Sequence, residues 1–330
     1  MAQTEQSLTL LSERIAAVDT AVRQTVSAWR PPASLTAGPW SCTGAGGSEG
    51  PARVLASCLR SVQQRADFLP LSTFAVDFGE RGHLVVFSQG LSPNARLALA
   101  RREPFETTTL VTATGTHDPL LDELGSSVLR HAPEQESGLL VRVMGPAGAT
   151  ATALLLVAEL AGRAEAEARA IHETVDRLDE ARSRARAAFV GIGKASPIAL
   201  VTAGRYRELV HGLRWKLLES LGVADPPVWD VLQVAHGPFQ QFYESPMLLC
   251  ALELPDEAAL FDRLERMLVP ERHRLIRLRA TRAAPTAWFE HDAMLNELVL
   301  AVLRDHPRDL IDWPGKGKDA ALYRLGPDSR

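Results

Sequence analysis

Two short stretches of this 330-residue chain carry side chains whose types and spacing could hold an anion. In VVFSQGLSPN an apolar run stops at Ser88, and Gln89, Gly90, Leu91, Ser92 and Pro93 follow. Hydroxyls, one amide and the backbone N–H groups of a helix beginning near Pro93 could together ligate a group such as a phosphate. The same Ser92, with Pro93 behind it, is also a good N-cap, and a cap uses the same N–H groups. The second stretch is GAGGSEG, where Gly44, Gly46 and Ser48 spell G-x-G-x-S between a strand-like patch and a helix. Gly47 and Ser48 belong to a turn whose backbone can approach an anion closely, although glycine-rich turns also serve tight packing alone. A dinucleotide fingerprint needs a third glycine elsewhere and an acidic partner about 20 residues on. Pro51, standing where helix packing needs a small residue, speaks against that reading.

The second half of the chain offers a different set. In LVHGLRWKLLES, Lys216 and Glu219 lie one helical turn apart and share a face. A surface ion pair worth a few tenths of a kcal/mol would look the same. In VLQVAHGPFQQF, His236-Gly237-Pro238 follows a strand-like run and opens a turn, where a histidine can also have no task. No HExxH or other compact ligand spacing occurs, so no metal is expected.

These residues must be positioned by a core, and the composition allows one. Hydrophobic residues make up 46% and charged residues 23%, the balance of a globular protein. The formal net charge of -4 argues against a nucleic-acid or membrane-surface binder, since both need a basic face. Cys42, Cys58 and Cys250 are scattered with no CxxC, which suggests a reducing compartment and no zinc cluster. MAQTEQSLTL lacks the basic and apolar regions of a signal peptide. The longest apolar run, ATATALLLVAELAG, is too short to span a bilayer and contains Glu159, so it reads as a buried core helix. A cytoplasmic protein is expected.

Along the chain, residues 6–29 show helical periodicity ended by Pro31-Pro32. PWSCTG reads as a strand, followed by a helix over about 51–65. Strands are expected at 72–78, 83–88 and 107–114, with a helix after Pro93 between the last two. Residues 161–188, rich in Ala, Glu and Arg, read as a charged helix joining two halves. Beyond it, strands are expected at 197–203, 228–234, 246–254 and 273–280, and helices at 205–221, 256–268 and about 288–305. The tail DWPGKGKDAALYRLG reads as a loop. Strands alternating with helices indicate parallel crossovers and an α/β sheet covered on both faces.

Taken in order, these motifs resemble the sugar isomerase (SIS) domain family, and more closely its double-SIS isomerase modules. GAGGSEGPARVLAS is similar to the family's first Gly-x-Gly-x-Ser loop and helix. VVFSQGLSPN is similar to its Ser-x-Ser-Gly-x-Thr phosphate loop, and LRWKLLES followed by AHGP to its Lys-x-x-Glu helix and His-Gly-Pro turn. PEQESGLLVR, residues 133–142, resembles a segment carrying a Glu before the core helix of the first half. The resemblance runs from about residue 40 to 325. It implies two SIS-type three-layer α/β/α halves with mainly parallel sheets. Their expected spans are 1–160, with the N-terminal helix and anion loops, and 161–330, with the linker helix and a C-terminal lid tail.

The resemblance also implies roles. Ser88, Gln89 and Ser92, with Gly47 and Ser48, match the positions that bind the anion of a phosphosugar. Glu219 matches the base that moves a proton between C1 and C2. His236 matches a ring-opening histidine supplied by a neighbouring subunit, which implies a homodimer with shared sites. Lys216 matches a lysine near the substrate oxygens, and Lys318, with Lys316 the runner-up, a tail lysine that closes over the sugar. One carboxylate within reach of both carbons and a donor for the enediolate oxygen suffice for aldose–ketose isomerisation, with no cofactor. The implied activity is isomerisation, or isomerisation with deamination, of a small anionic sugar. A regulatory sugar-phosphate-binding protein is the alternative.

The departures are specific. Ser-Gln-Gly-Leu-Ser lacks the pattern's middle serine and reads as one residue short, which opens the site to another anion such as a sulfonate. Thr202-Ala203-Gly204-Arg205 and the absence of a serine-rich loop after PMLLCALEL imply one anion site per chain. Gln233 and Ala235 stand where the family has Glu and Lys. With no glutaminase domain in the sequence, a self-contained glutamine-dependent amidotransferase is not expected.

Overall fold

The parallel strands that the apolar runs predict are present, and those at Trp40–Thr43, His83–Phe87, Ile198–Thr202 and Met247–Glu253 are buried on both faces, as crossover connections require. The computed structural model describes residues 2–32, 37–76, 82–115, 117–133, 136–192 and 197–325. In chain order its elements begin with α1 (Ala2–Ser27), β1 (Trp40–Thr43), α2 (Glu49–Ser61), β2 (Ala66–Phe68), β3 (His83–Phe87) and α3 (Pro93–Ala100). They continue with β4 (Thr107–Thr112), α4 (Pro119–Leu124), β5 (Val128–Arg130), α5 (Met144–Leu160), α6 (Ala164–Val175) and α7 (Leu178–Ala188). Next come β6 (Ile198–Thr202), α8 (Tyr206–Val210), α9 (Arg214–Leu221), β7 (Val228–Asp230) and α10 (Pro238–Phe242). The last are β8 (Met247–Glu253), α11 (Ala258–Met267), β9 (His273–Arg279), α12 (Ala287–Asp305) and α13 (Ala320–Tyr323).

The chain forms two compact units, one of residues 16–172 with 312–330 and the other of 1–15 with 173–311. The first holds a five-stranded parallel sheet in the order β2-β1-β3-β4-β5. The second holds a four-stranded parallel sheet in the order β7-β6-β8-β9. Both windings reverse between their first and third strands in chain order, at β1/β3 and at β6/β8. In open α/β sheets that reversal opens a crevice at the carboxyl ends of the strands.

The core follows from the strands. Leu84 and Val86 on β3 face Phe74, Leu91, Ala95, Leu99 and Leu110. Strand alternation turns Val85 and Phe87 to the opposite face, and α2 and α5 pack against each other. α5 is buried along nearly its whole length, as its uniform apolarity predicts. Among the described residues no helix is long and apolar enough to cross a membrane.

Some elements differ from expectation. Residues 72–78 do not start a strand: Leu71–Ala75 is a 3-10 turn led by Pro70, with Phe74 as its buried anchor, and 77–78 lie outside the described residues. The edge positions go instead to β2 and β5, each only 3 residues long. The run at 228–234 pairs only through Asp230, then turns as a 3-10 helix over Gln233–Ala235. The expected helices at 205–221 and 161–188 are each divided in two, and the tail contains α13.

Candidate functional site

The loops after β1 and β3 meet at the switch point of the five-stranded sheet, and glycine permits it. A Cβ on Gly44 would lie 2.5 Å from the Ser48 carbonyl oxygen and 3.2 Å from that of Phe87. Gly44 therefore holds the G-x-G-x-S turn against the end of β3, where Ser88 begins. Ser88 is buried, and its N–H donates to Val111 O at 3.0 Å. Its Oγ accepts the Ser92 N–H at 3.0 Å, so the hydroxyl braces its own loop. Ser92 Oγ accepts the Ala95 N–H at 3.3 Å with Pro93 at the first helical position, which makes Ser92 the cap of α3. Ser48 precedes α2 without capping it through its side chain.

Leu91 has φ of 51°, the left-handed region that favours glycine. Counted without a gap from Ser88, the glycine of Ser-x-Ser-Gly-x-Thr falls on Leu91. The same count sets Gly90 at the middle serine and Pro93 at the threonine.

A buried carboxylate organises the other side of this loop. Glu136, 5% exposed, accepts the N–H groups of Val143 (2.7 Å), Met144 (3.1 Å) and Gly145 (2.8 Å). The positive end of α5 is therefore filled by the chain's own anion. The same carboxylate accepts Gln89 Nε2 at 3.0 Å. A Cβ on Gly145 would collide with the Gln89 amide, so glycine there is what lets Gln89 reach Glu136. One N–H of the Gln89 amide is thus held by Glu136. Arg142, just before α5, has its Cβ 3.8 Å from where a Cβ on Gly47 would stand.

The C-terminal tail belongs to the same unit. Asn94, two residues after Ser92, donates its Nδ2 to Leu322 O at 3.1 Å. This bond pins α13 to the start of α3, with Lys318 exposed shortly before it. Lys316 holds its ammonium 5.0 Å over the Trp313 ring.

Glu219, Lys216 and His236 belong to the other unit. Lys216 is buried on α9, and its Nζ pairs with Asp292 Oδ1 at 2.6 Å and donates to Asp292 O at 3.3 Å. Asp292 in turn accepts Asn296 Nδ2 at 3.4 Å. This ammonium ties α9 to α12; the alternative of a surface ion pair does not hold for it. Glu219, one turn along α9, is half-buried. His236 is exposed after the 3-10 turn that ends β7, and Gly237 follows with φ of 125° and its N–H on Gln240 Oε1 at 3.0 Å.

At the switch point of the four-stranded sheet carboxylates hold the loop N–H groups. Asp230 Oδ2 accepts the Gly204 N–H at 2.9 Å, and Glu257 Oε2 accepts the Leu254 N–H at 2.9 Å. Burial first, then the nearby Glu253, Asp230 and Asp256, push the Glu257 carboxyl above its ordinary range. An anion is disfavoured there. Among the described residues no cluster of three or more His, Cys, Asp or Glu could hold a metal ion.

The sequence singled out Ser88 and the tail lysines, pointed to Glu136 only through the PEQESGLLVR pattern, and gave no sign of Asp292. Asp292 had no local signal, since its partner lies 76 residues away.

The windings define two doubly wound, parallel α/β sheets with their crevices at β1/β3 and β6/β8. No family model matches the chain, and no curated protein is similar enough to match. Solved structures do share its fold. The C-terminal domain of a Francisella tularensis glucosamine-fructose-6-phosphate aminotransferase superposes with a TM-score of 0.69 at 12% identity, covering 92% of this chain and 98% of its own. Thermotoga maritima glucosamine-6-phosphate deaminase gives 0.67 at 14% identity, covering 93% and 98%. Escherichia coli tagatose-6-phosphate ketose/aldose isomerase gives 0.63 at 14% identity, covering 94% and 93%.

Proposed function

We propose that this chain is an aldose–ketose isomerase, or an isomerase-deaminase, acting on a small anionic sugar. The observation that carries the reading is the Gly44–Ser48 turn meeting Ser88 at the β1/β3 switch point of this fold. Ser88 and the 46–48 turn receive the substrate's anionic group. Glu219 is the base: it takes a proton from C2 of the aldose, or C1 of the ketose, and returns it to the other carbon through an enediol. Half-burial suits that task, because it leaves the carboxylate able to reach substrate while limiting its hydration. Lys216 acts by fixing α9, hence Glu219, through Asp292, in place of a direct contact with substrate oxygens. Lys318, on the tail pinned by Asn94, closes over the sugar; Lys316 is engaged with Trp313. His236 is exposed, as a histidine that serves a neighbouring subunit's site in a homodimer must be.

A second reading, a sugar-phosphate-binding regulator without turnover, is favoured by the Lys216–Asp292 pair, which removes one cation from the chemistry. Glu219→Gln separates the two. In the isomerase, ligand binding survives the substitution and turnover falls by roughly 100-fold or more. Turnover that ignores the substitution, on a sugar that wild type converts, rejects Glu219 as the base.

A further inference from the structure

The Ser88 loop carries Gly90 where a hydroxyl would donate, and its glutamine gives one of its two N–H groups to Glu136. An oxyanion bound there needs another donor, and Arg142 is placed to be it. Its Cβ lies 3.8 Å from where a Cβ on Gly47 would stand, so the side chain leaves the backbone beside the turn that leads to Ser48. Pro146 flanks the same glycine, 3.3 Å from the position of a Cβ, and fixes the approach.

The guanidinium is uncommitted compared with its neighbours. Arg53 pairs with Glu49, Arg96 with Asp118, Arg102 with Glu123 and Arg163 with Glu167. Arg142 is half-buried, and its hydrogen bond among the described residues runs from NH1 to Leu139 O at 3.1 Å, a neutral acceptor. The carboxylate closest in sequence among the described residues, Glu136, is already satisfied by three backbone N–H groups and Gln89. A guanidinium has five N–H donors in a planar fork that matches two oxygens of a tetrahedral oxyanion.

Resting on the anionic-sugar reading above, we infer that Arg142 is the residue that sets anion specificity. Its guanidinium grips the terminal oxyanion of the sugar over the Gly47–Ser48 turn, taking the place of the serine that Gly90 removes. The class of ligand is a sugar bearing a tetrahedral oxyanion, a phosphate or a sulfonate, and both suit a permanent cation.

The test is calorimetric titration of the full chain with fructose 6-phosphate, its 6-sulfonate analogue and neutral fructose. Wild type, Arg142→Gln and Arg142→Lys are compared, each with its melting temperature measured without ligand. The expected result is saturable binding of at least one oxyanion sugar by wild type and much weaker binding of fructose. Arg142→Gln then weakens binding roughly 10- to 100-fold, and Arg142→Lys, which keeps the charge but loses the fork, by less. The unliganded melting temperature stays close to wild type. Should Arg142→Gln fail to fold, Arg142→Lys carries the comparison. Unchanged affinity in the folded variants overturns the role of Arg142 and leaves the anionic-sugar reading standing. No binding of either oxyanion sugar by wild type overturns both. A phosphate–sulfonate preference that Arg142→Gln abolishes supports the inference and names the anion; a preference that survives in Arg142→Gln overturns it.

Discussion

Glu136 is the residue on which the anion loop depends. One carboxylate holds three N–H groups of α5 and the amide of Gln89, so it sets the shape of the β3–α3 loop as well as the start of the core helix. Glu136→Gln removes the charge at the helix end and mismatches an acceptor. We expect a loss of about 1–3 kcal/mol in urea-denaturation stability. A variant as stable as wild type would show that the carboxylate is incidental. At this scale the sequence was only half legible. Ser92 was open between cap and ligand because both use the same N–H groups, and only the Ala95 bond separates them. Gln89 looked free because its partner lies 47 residues on.

At the scale of elements, two designs recur. The first is a carboxylate that accepts backbone N–H groups beside each switch point: Glu136 at one, Asp230 and Glu257 at the other. The second is the buried Lys216–Asp292 pair joining α9 to α12. Removing one partner strands the other charge in the interior. Asp292→Ala is expected to cost about 3–5 kcal/mol, and Lys216→Met with Asp292→Leu together much less than either change alone. A denaturation double-mutant cycle reads this, and additive losses would show that the pair is uncoupled. If Lys216 acts only through α9, the double variant should also retain Glu219-dependent turnover. The long strands β3, β6 and β8 were legible because continuous apolar runs follow from burial on both faces. β2 and β5 were not, since three residues carry no period. STFAVDF resembled a strand because alternation is visible in sequence, whereas the stop imposed by Pro70 and the anchoring of Phe74 is tertiary.

At the scale of the whole molecule, two buried histidines link stability to pH, one in each unit. Burial pushes His131 from the ordinary 6.5 down to about 4. His291 is likewise pushed down to about 4, chiefly by burial. Its Nε2 lies 2.9 Å from Leu278 O, which calls for the proton on Nε2 and leaves Nδ1 to accept the Tyr206 hydroxyl at 2.6 Å. Because both folded pKa values are depressed, the unfolded chain binds more protons between about pH 6.5 and 4. Stability is complete above that window and falls as pH drops through it, by about 1.4 kcal/mol per pH unit for each histidine. Urea midpoints measured from pH 7.5 to 5 should show the fall beginning near 6.5. A flat profile to pH 5 would contradict the burial of both rings. If His236 serves a neighbour, light scattering should find a dimer, and a monomer with full turnover would refute that assignment. The α/β class was legible from the alternation of strands and helices, whereas the strand order was not, because pairing joins runs far apart in sequence. The division into units was less so, because α1 and the tail take their places through distant contacts such as Ser7 with Asp309 and Asn94 with Leu322.

The most direct measurement is proton exchange at the sugar carbons. Wild type and Glu219→Gln are incubated in D2O with a panel of ketose and aldose phosphates, amino-sugar phosphates and sulfonated sugars, and deuterium at C1 and C2 is followed by NMR. The account predicts deuterium incorporation with at least one oxyanion sugar in wild type, reduced roughly 100-fold or more in Glu219→Gln while that sugar still binds. Exchange that persists undiminished in Glu219→Gln, or wild type that binds a sugar without exchanging it, would contradict the proposed isomerase chemistry.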